Sequence, residues 1–315
     1  MGLRVMLLAL LAQASALDAV TKTRARAASL ARESRVPGTL VRAIARNPAY
    51  EAPPRAPRLA PAGVDVGVTI TGCGGLYTYL FGVAAHIQAH FDLSGAAFAS
   101  ASAGAFPAFL LATGIDVERF HRTHNKELLR DAHARAPDPL SARRPDLAGR
   151  LGPLLCWNGL VKHHFSAALR ANLGDEGHAA LRGRHAVSIT QVVRDDGDAP
   201  WRLRNALVDD YASVDELVDA YIASAYVPLY DRRAELTTRF RGDRSFDGGI
   251  TDNAPRPYDD VDCLVLSPSK WRDHGTSLPI PLVNSDWDWC DAKFELGKRD
   301  AAAHHDEIAR VLKPL

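Results

Sequence analysis

The sequence has few of the features that mark a disulfide-built, metal-binding or nucleic-acid-binding protein. Four cysteines in 315 residues are too few for a disulfide scaffold. They are widely spaced, form no CxxC pair and have no histidine at zinc-finger spacing. We therefore expect buried free thiols at Cys73, Cys156, Cys263 and Cys290. A formal net charge of +1 argues against nucleic acid as the main partner.

The apolar run at the N-terminus is too short to span a membrane. Residues 5–12 give about eight apolar positions, whereas a spanning helix needs about 20. The run follows the basic Arg4 and precedes Ala14-Ser15-Ala16, the small-residue pattern of a signal-peptidase site. We predict a signal that directs the chain into the secretory pathway.

The segment that follows has the composition of a targeting peptide rather than of a folded domain. Residues 21–46 contain seven basic residues and the single acid Glu33, which resembles an organellar transit peptide. Two interpretations stay open: a plastid reached through the secretory route, or an endomembrane destination with a plain signal and a basic linker. Four prolines between residues 53 and 61 then form a hinge. We divide the chain into a targeting segment and linker, 1–62, and a folded domain, 63–315.

Short apolar runs alternate with helical patterns in the C-terminal domain. Residues 64–71 and 96–101 are predicted strands, and each runs through a tight turn into a predicted helix, 76–90 and 103–112. Strand, turn and helix in succession predict an α/β fold with a mainly parallel sheet and helices on its faces. The remaining predictions are strands at 186–193, 201–208 and 261–266, helices at 115–130, 214–225 and 291–312, and an exposed loop at 131–153.

The second turn carries a candidate nucleophile. Ser102 lies where a predicted strand meets a predicted helix, and its neighbours in Ser100-Ala101-Ser102-Ala103-Gly104 are very small. This pattern is typical of a nucleophile elbow, in which the hydroxyl is exposed at the N-terminus of the helix. Gly104 fits the usual Gly-x-Ser-x-Gly pattern, and Ser100 replaces its first glycine. Tight helix–sheet packing is the alternative explanation of the small residues.

The first turn is a candidate oxyanion loop. Its residues Gly72, Cys73, Gly74 and Gly75 leave backbone N–H groups free to face an anion. A phosphate loop would need a lysine that is missing, and a dinucleotide loop would need glycine where Tyr77 stands. An oxyanion hole needs only two or three such donors, and the candidate serine follows about 30 residues later.

A third candidate is Asp247, which is followed by Gly248 and Gly249. An aspartate before two glycines is common in turns and hairpins. The segment therefore indicates a catalytic residue only in combination with the other two motifs.

Together these motifs resemble the patatin-like phospholipase family, especially its adiponutrin-like branch. The segment 221–230 (YIASAYVPLY) and the group Asp252-Asn253 with Pro255 are also similar to family motifs, and the order agrees over about residues 64–268. The resemblance implies a three-layer α/β/α sandwich and a dyad without histidine, with Ser102 as nucleophile and Asp247 as proton acceptor.

The resemblance also implies a function. The expected reaction is hydrolysis of acyl esters of phospholipids, galactolipids or triacylglycerols, at a membrane or lipid-droplet surface, with no metal and no organic cofactor. Tyr77 and Ser100 depart from the family pattern and bear on efficiency more than on identity.

Two other functions remain open from the sequence. A conventional α/β-hydrolase with a Ser-His-Asp triad would find its histidine after Asp247, at His274, His304 or His305. The domain could instead be a lipid-surface binding or regulatory module with weak turnover, which the departures at Tyr77 and Ser100 would favour.

Overall fold

The computed structural model describes residues 57–135, 145–193, 202–226, 237–274 and 283–315. Residues 1–56, which hold the predicted signal and transit-like segment, lie outside this part of the chain, as do residues 227–230 of the 221–230 motif. Among the described helices, none combines the length and the apolar character needed to cross a membrane.

A seven-stranded sheet forms the centre of the described chain. Four neighbouring strands are parallel, in the order β7-β1-β2-β3. Three more strands, β4, β5 and β6, extend the sheet in antiparallel pairing. The bounds are β1 Val66–Ile70, β2 Ala96–Ala101, β3 His185–Val193, β4 Arg202–Val208, β5 Thr238–Phe240, β6 Asp243–Asp247 and β7 Asp262–Leu266.

Helices cover both faces of this sheet. Every residue of β2 is buried, as are the first seven of β3, which requires cover on each side because side chains alternate between faces. The helices are α1 Tyr77–His90, α2 Ala105–Thr113, α3 Val117–Phe120, α4 Lys126–Ala134, α5 Pro145–Leu173, α6 Val214–Ser224, α7 Trp287–Ala303 and α8 His305–Ala309. The mainly parallel sheet between helices confirms the predicted α/β/α sandwich.

Helix α1 is held in place by an unusually close crossing with α7. A Cβ atom at Gly82 would lie 1.9 Å from the carbonyl oxygen of Phe294, and one at Gly297 would lie 2.0 Å from that of Tyr79. Both positions therefore require glycine. This crossing fixes the N-terminal end of α1, which follows the glycine-rich loop directly.

The prediction of a loop at 131–153 is wrong for most of the residues in this range that the structure describes. Helix α4 continues to Ala134, and α5 begins at Pro145, a residue that suits the first turn of a helix. The charged, proline-rich composition favours a loop locally. The helix is stabilised instead by an apolar face at helical spacing, formed by the buried side chains of Trp157, Leu160, Val161, Phe165, Ala168 and Leu169.

Candidate active site

Ser102 occupies a strained turn at the end of β2. Its backbone φ is +54°, in the left-handed region that few non-glycine residues adopt, and the chain then enters a 3₁₀ turn that leads into α2. Gly104 allows the turn to close, because a Cβ atom there would lie 2.3 Å from the carbonyl oxygen of Thr71. The strand, sharp turn and helix have the geometry of a nucleophile elbow.

The register of β3 explains how Asp247 reaches Ser102 from 145 residues away. Strand β4 pairs along one edge of β3, so β2 and β6 must share the other edge. Ala101, the last residue of β2, pairs with Ser188, and Asp247, the last residue of β6, pairs with Ile189. The C-terminal ends of β2 and β6 therefore meet at consecutive positions of one strand.

The two side chains form a direct hydrogen bond. The Ser102 hydroxyl donates to Oδ2 of Asp247 over 2.5 Å, and the N–H of Gly249 donates to Oδ1 over 2.8 Å. Both side chains are buried, with relative exposures of 8% for Ser102 and 3% for Asp247. Burial raises the pKa of Asp247 from its ordinary 3.8 to about 7, against the opposing effect of the two hydrogen bonds.

The glycine-rich loop lies beside this pair. Gly74 has a φ of +50° and lines the same cavity as Ser102. No acceptor for the N–H groups of Cys73, Gly74 and Gly75 is found among the described residues, and Cys73 precedes a 3₁₀ turn at 74–76. Gly72 differs, because its N–H donates to Oδ1 of Asn253 over 3.1 Å. Within the described chain, three of the four predicted loop residues thus keep free donors.

Ser100 joins a buried polar chain behind the elbow. Its hydroxyl is 2.8 Å from Nε2 of His185, and Nδ1 of His185 hydrogen-bonds to the hydroxyl of Tyr221. Burial lowers the pKa of His185 to about 3, so the imidazole is neutral. The serine that replaces the usual glycine therefore links β2 to β3 and α6.

The two glycines after Asp247 are fixed by close contacts. A Cβ atom at Gly248 would lie 1.8 Å from the carbonyl oxygen of Ser188, and one at Gly249 would lie 2.7 Å from Oδ1 of Asn253. Glycine at both positions lets β6 end against β3 and turn immediately, which holds the carboxylate at the end of the strand.

Ser224 contacts the nucleophile elbow, although no sequence motif identified it as a site residue. It lies at the end of α6, and its Oγ accepts the N–H of Ser102 over 3.0 Å. The bond satisfies a buried N–H of the strained elbow. The residue falls inside the 221–230 motif, so its position in a family-like segment was the only available signal.

A largely apolar cavity opens from Ser102. Gly74 and Ala103 line it together with Ser102, and most of the other lining side chains are aromatic or aliphatic. The apolar lining includes Tyr77, Phe81, Phe106, Phe120, Leu128, Trp157, Val161, Phe165 and Ile222. Such a lining suits a hydrocarbon chain.

The histidines considered for a triad contact other groups. His274 is 2.9 Å from the carbonyl oxygen of Pro268, His304 stacks on Trp271, and His305 lies 3.3 Å from His86. His124 and His164 do line the cavity, and Nε2 of His164 is 2.9 Å from Oδ2 of Asp131. Within the described ranges, no group of three His, Cys, Asp or Glu side chains could hold a metal ion.

The similarity to known proteins covers the region of the chain that contains this site. The family model for patatin-like phospholipase matches residues 68–259, which is more than half of the chain. The mouse 1-acylglycerol-3-phosphate O-acyltransferase Pnpla3 is 29% identical over 60% of this chain and 40% of its own length. Human patatin-like phospholipase domain-containing protein 2 is 30% identical over 64% of this chain and 35% of its own length.

Two further similarities extend the comparison. Mouse omega-hydroxyceramide transacylase is 30% identical over 61% of this chain and 25% of its own length. The crystal structure of VipD from Legionella pneumophila aligns over 70% of this chain and 55% of its own, with a TM-score of 0.38 and 14% identity. The chain thus spans less than half the length of these curated relatives. It belongs to the patatin-like phospholipase family.

Proposed function

We propose that the protein is a serine acyl hydrolase that cleaves carboxylic ester bonds of lipids, with Ser102 and Asp247 as a catalytic dyad. The observation that carries this proposal is the 2.5 Å hydrogen bond from a buried, strained serine to a buried carboxylate whose pKa is raised to about 7. A general base is most effective when its pKa lies near the working pH. The substrate class is a phospholipid, galactolipid or triacylglycerol.

The reaction begins with transfer of the Ser102 proton to Asp247 as Oγ attacks the ester carbonyl. The N–H groups of Cys73, Gly74 and Gly75 stabilise the negative charge that develops on the carbonyl oxygen. The C–O bond to the alcohol then breaks, Asp247 returns the proton to the leaving alcohol, and an acyl group remains on Ser102. Water, activated by Asp247, releases the fatty acid and restores the serine.

The dyad is favoured over a Ser-His-Asp triad by the partners of each side chain. Asp247 accepts directly from Ser102, which leaves no place for a histidine between them. His274, His304 and His305 each contact groups other than this pair. Replacing the three histidines together separates the proposals, because a triad enzyme would lose turnover and a dyad enzyme would keep it.

Acyl transfer is a second outcome of the same chemistry. Two of the relatives are named as an acyltransferase and a transacylase. An acyl-enzyme on Ser102 can pass its acyl group to water or to an alcohol that enters the same cavity. Lipid mass spectrometry with an added monoacylglycerol acceptor measures the ratio of free fatty acid to acylated acceptor.

The test of the dyad is a pair of substitutions with matched controls. We expect Ser102→Ala and Asp247→Asn to abolish ester hydrolysis, and Ser102→Ala to abolish labelling by a fluorophosphonate probe as well. Ser94→Ala, in an exposed turn, and Asp243→Asn, on the same strand as Asp247, should retain both. Wild-type turnover in Ser102→Ala or Asp247→Asn would refute the dyad, and an unlabelled, inactive wild type would favour a lipid-surface binding module.

The substrate class is identified by incubating wild type and Ser102→Ala with a mixed membrane extract. The lipid class that decreases only with wild type is the substrate. We propose that the partner surface is a membrane or lipid droplet, because such esters are insoluble in water. Delivery through the secretory pathway by the 1–62 segment stays a prediction.

A further inference from the structure

We propose that Tyr77 limits the length of the acyl chain that the active-site cavity accepts. The inference depends on the proposed function in one respect, that the cavity beside Ser102 holds an acyl chain. It rests on the position of the Tyr77 ring, on the contacts that immobilise it, and on the glycine that the motif pattern would place there.

Tyr77 forms part of the wall of the cavity that contains Ser102. It lies one helical turn after Gly74, and both residues line the cavity that contains Ser102. In the glycine pattern of this loop the position would carry no side chain at all, so a glycine would leave open the space that the phenol ring fills here. The ring is 4% exposed, which shows how completely it is enclosed.

The phenol ring is anchored at its far end. Its hydroxyl donates to Oδ1 of Asn125 over 2.9 Å, and Nδ2 of Asn125 is 3.0 Å from Nδ1 of His121. The His121 ring is stacked on Phe294, with centroids 4.3 Å apart and planes 4° apart. This chain of contacts makes the ring a fixed wall, because swinging it aside would leave buried polar groups without partners.

The anchor residues lie in an irregular segment of helix. Residues 121–125, between α3 and α4, form a π-helical turn, and such turns are often retained at functional sites. The turn brings Asn125, at its last position, to face Tyr77 while His121, at its first position, reaches α7. Two separate helices therefore cooperate to hold one side chain in the cavity.

Aromatic walls meet the ring on two sides. The centroid of Tyr77 is 5.4 Å from that of Phe81, edge to face, and 6.1 Å from that of Trp157. Both neighbours also line the cavity. Removing the ring would join the space it occupies to the existing cavity between these walls, which lengthens the apolar channel that starts at Ser102.

The first test measures chain-length preference in hydrolysis. Wild type, Tyr77→Ala and Tyr77→Phe are compared on p-nitrophenyl esters with a short, butyryl, and a long, dodecanoyl, acyl chain. We expect the ratio of kcat/KM for the long ester to that for the short ester to rise about tenfold or more in Tyr77→Ala, the scale at which a pocket discriminates by a methylene or two. Tyr77→Phe loses the hydroxyl anchor but keeps a ring between Phe81 and Trp157, and its profile should stay closer to that of wild type than to that of Tyr77→Ala.

The second test does not need catalysis. In a Ser102→Ala background, binding of saturated fatty acids from octanoate to stearate is measured by calorimetry with Tyr77 retained or replaced by alanine. The longest chain bound with full affinity should increase in Ser102→Ala/Tyr77→Ala. This arm tests Tyr77 even if no ester is hydrolysed, whereas the proposed hydrolase function is tested by the wild type alone.

The outcomes separate the explanations. Unchanged chain-length profiles in Tyr77→Ala, in both assays, would overturn the inference. An equal change in Tyr77→Phe and Tyr77→Ala would also overturn it, because the hydroxyl contact rather than the bulk of the ring would then control the preference. If Tyr77→Ala does not fold, Tyr77→Leu, which is shorter than the ring but still apolar, replaces it in both assays.

Discussion

The ionisation of Asp247 gives the sharpest prediction. Burial raises the pKa of this carboxyl from 3.8 to about 7, so the free enzyme should gain its base only as the pH passes through about 7. At about pH 5 roughly one molecule in a hundred would carry the carboxylate, and kcat/KM should fall about tenfold per pH unit below about 7. An aspartate with an ordinary pKa would give a flat profile over the same range.

The same pKa predicts a change in stability with a definite sign. A rise from 3.8 to about 7 corresponds to roughly 4 kcal/mol. Because the folded-state pKa of Asp247 is the higher one, its contribution to the free energy of unfolding is complete below pH 3.8 and is lost as the pH rises through about 7. The amide in the Asp247→Asn variant is neutral at every pH. This variant should therefore be more stable than wild type at about pH 8 and nearly equal to it at about pH 4.

The assay combines a pH profile with denaturant unfolding. Hydrolysis of p-nitrophenyl butyrate is followed by chromatography of the released acid, because the colour of p-nitrophenol itself depends on pH. Unfolding of wild type, Asp247→Asn and the control Asp243→Asn is measured at about pH 4 and about pH 8, on either side of the raised pKa. A flat rate profile from about pH 5 to 8, together with no gain in stability for Asp247→Asn at the higher pH, would refute the raised pKa.

Three further predictions concern residues that support the active site and the buried histidines. Ser224→Ala removes the acceptor of the Ser102 N–H. We expect kcat to fall about three- to tenfold with little change in KM, which is the effect of losing one hydrogen bond. Steady-state kinetics test this prediction, and an unchanged kcat would contradict it. Gly248→Ala should prevent stable folding, because its Cβ atom would lie 1.8 Å from the carbonyl oxygen of Ser188. Gly159→Ala, in open space on α5, should instead raise stability by up to about 1 kcal/mol. Thermal melts compare the two variants, and an unchanged Tm for Gly248→Ala would contradict the prediction. In the Asp247→Asn variant, which lacks the opposing titration of Asp247, stability should decrease as the pH falls below 6.5, because burial lowers the pKa of four histidines in the folded state and the unfolded chain then binds more protons. Denaturant unfolding of this variant between about pH 7 and 5 tests the prediction, and a pH-independent midpoint would argue against it. The four histidines are His86, His121, His185 and His274.

Much of the fold could be predicted from the sequence because its signals are local. Four strands lie within a few residues of their predicted bounds, at 66–70, 96–101, 185–193 and 262–266. Short runs of β-branched or small apolar residues favour buried strands, so the local pattern is enough to predict them. The hairpin of β5 and β6 was not predicted. Its residues are mostly polar, and it is stabilised by pairing with β3 rather than by its own pattern.

The long helix α5 was also missed, for a related reason. Its first part is rich in charge and proline, which favours a loop when only neighbours in sequence are considered. Trp157 and Phe165 stabilise the helix through contacts with other elements, including Tyr77 and Tyr221. Tertiary packing routinely overrides local preference in this way.

The sequence by itself determined the chemical parts of the site: a serine in a small-residue turn, a glycine-rich loop, and an aspartate before two glycines. Each part is encoded by a few adjacent residues whose small size the backbone requires. Only the tertiary structure decided that Ser102 and Asp247 form a hydrogen bond, that Ser224 accepts from the N–H of Ser102 and that Tyr77 lines the cavity. These contacts join distant segments through strand register and helix crossing, and their geometry is set by the whole packed fold rather than by any local pattern.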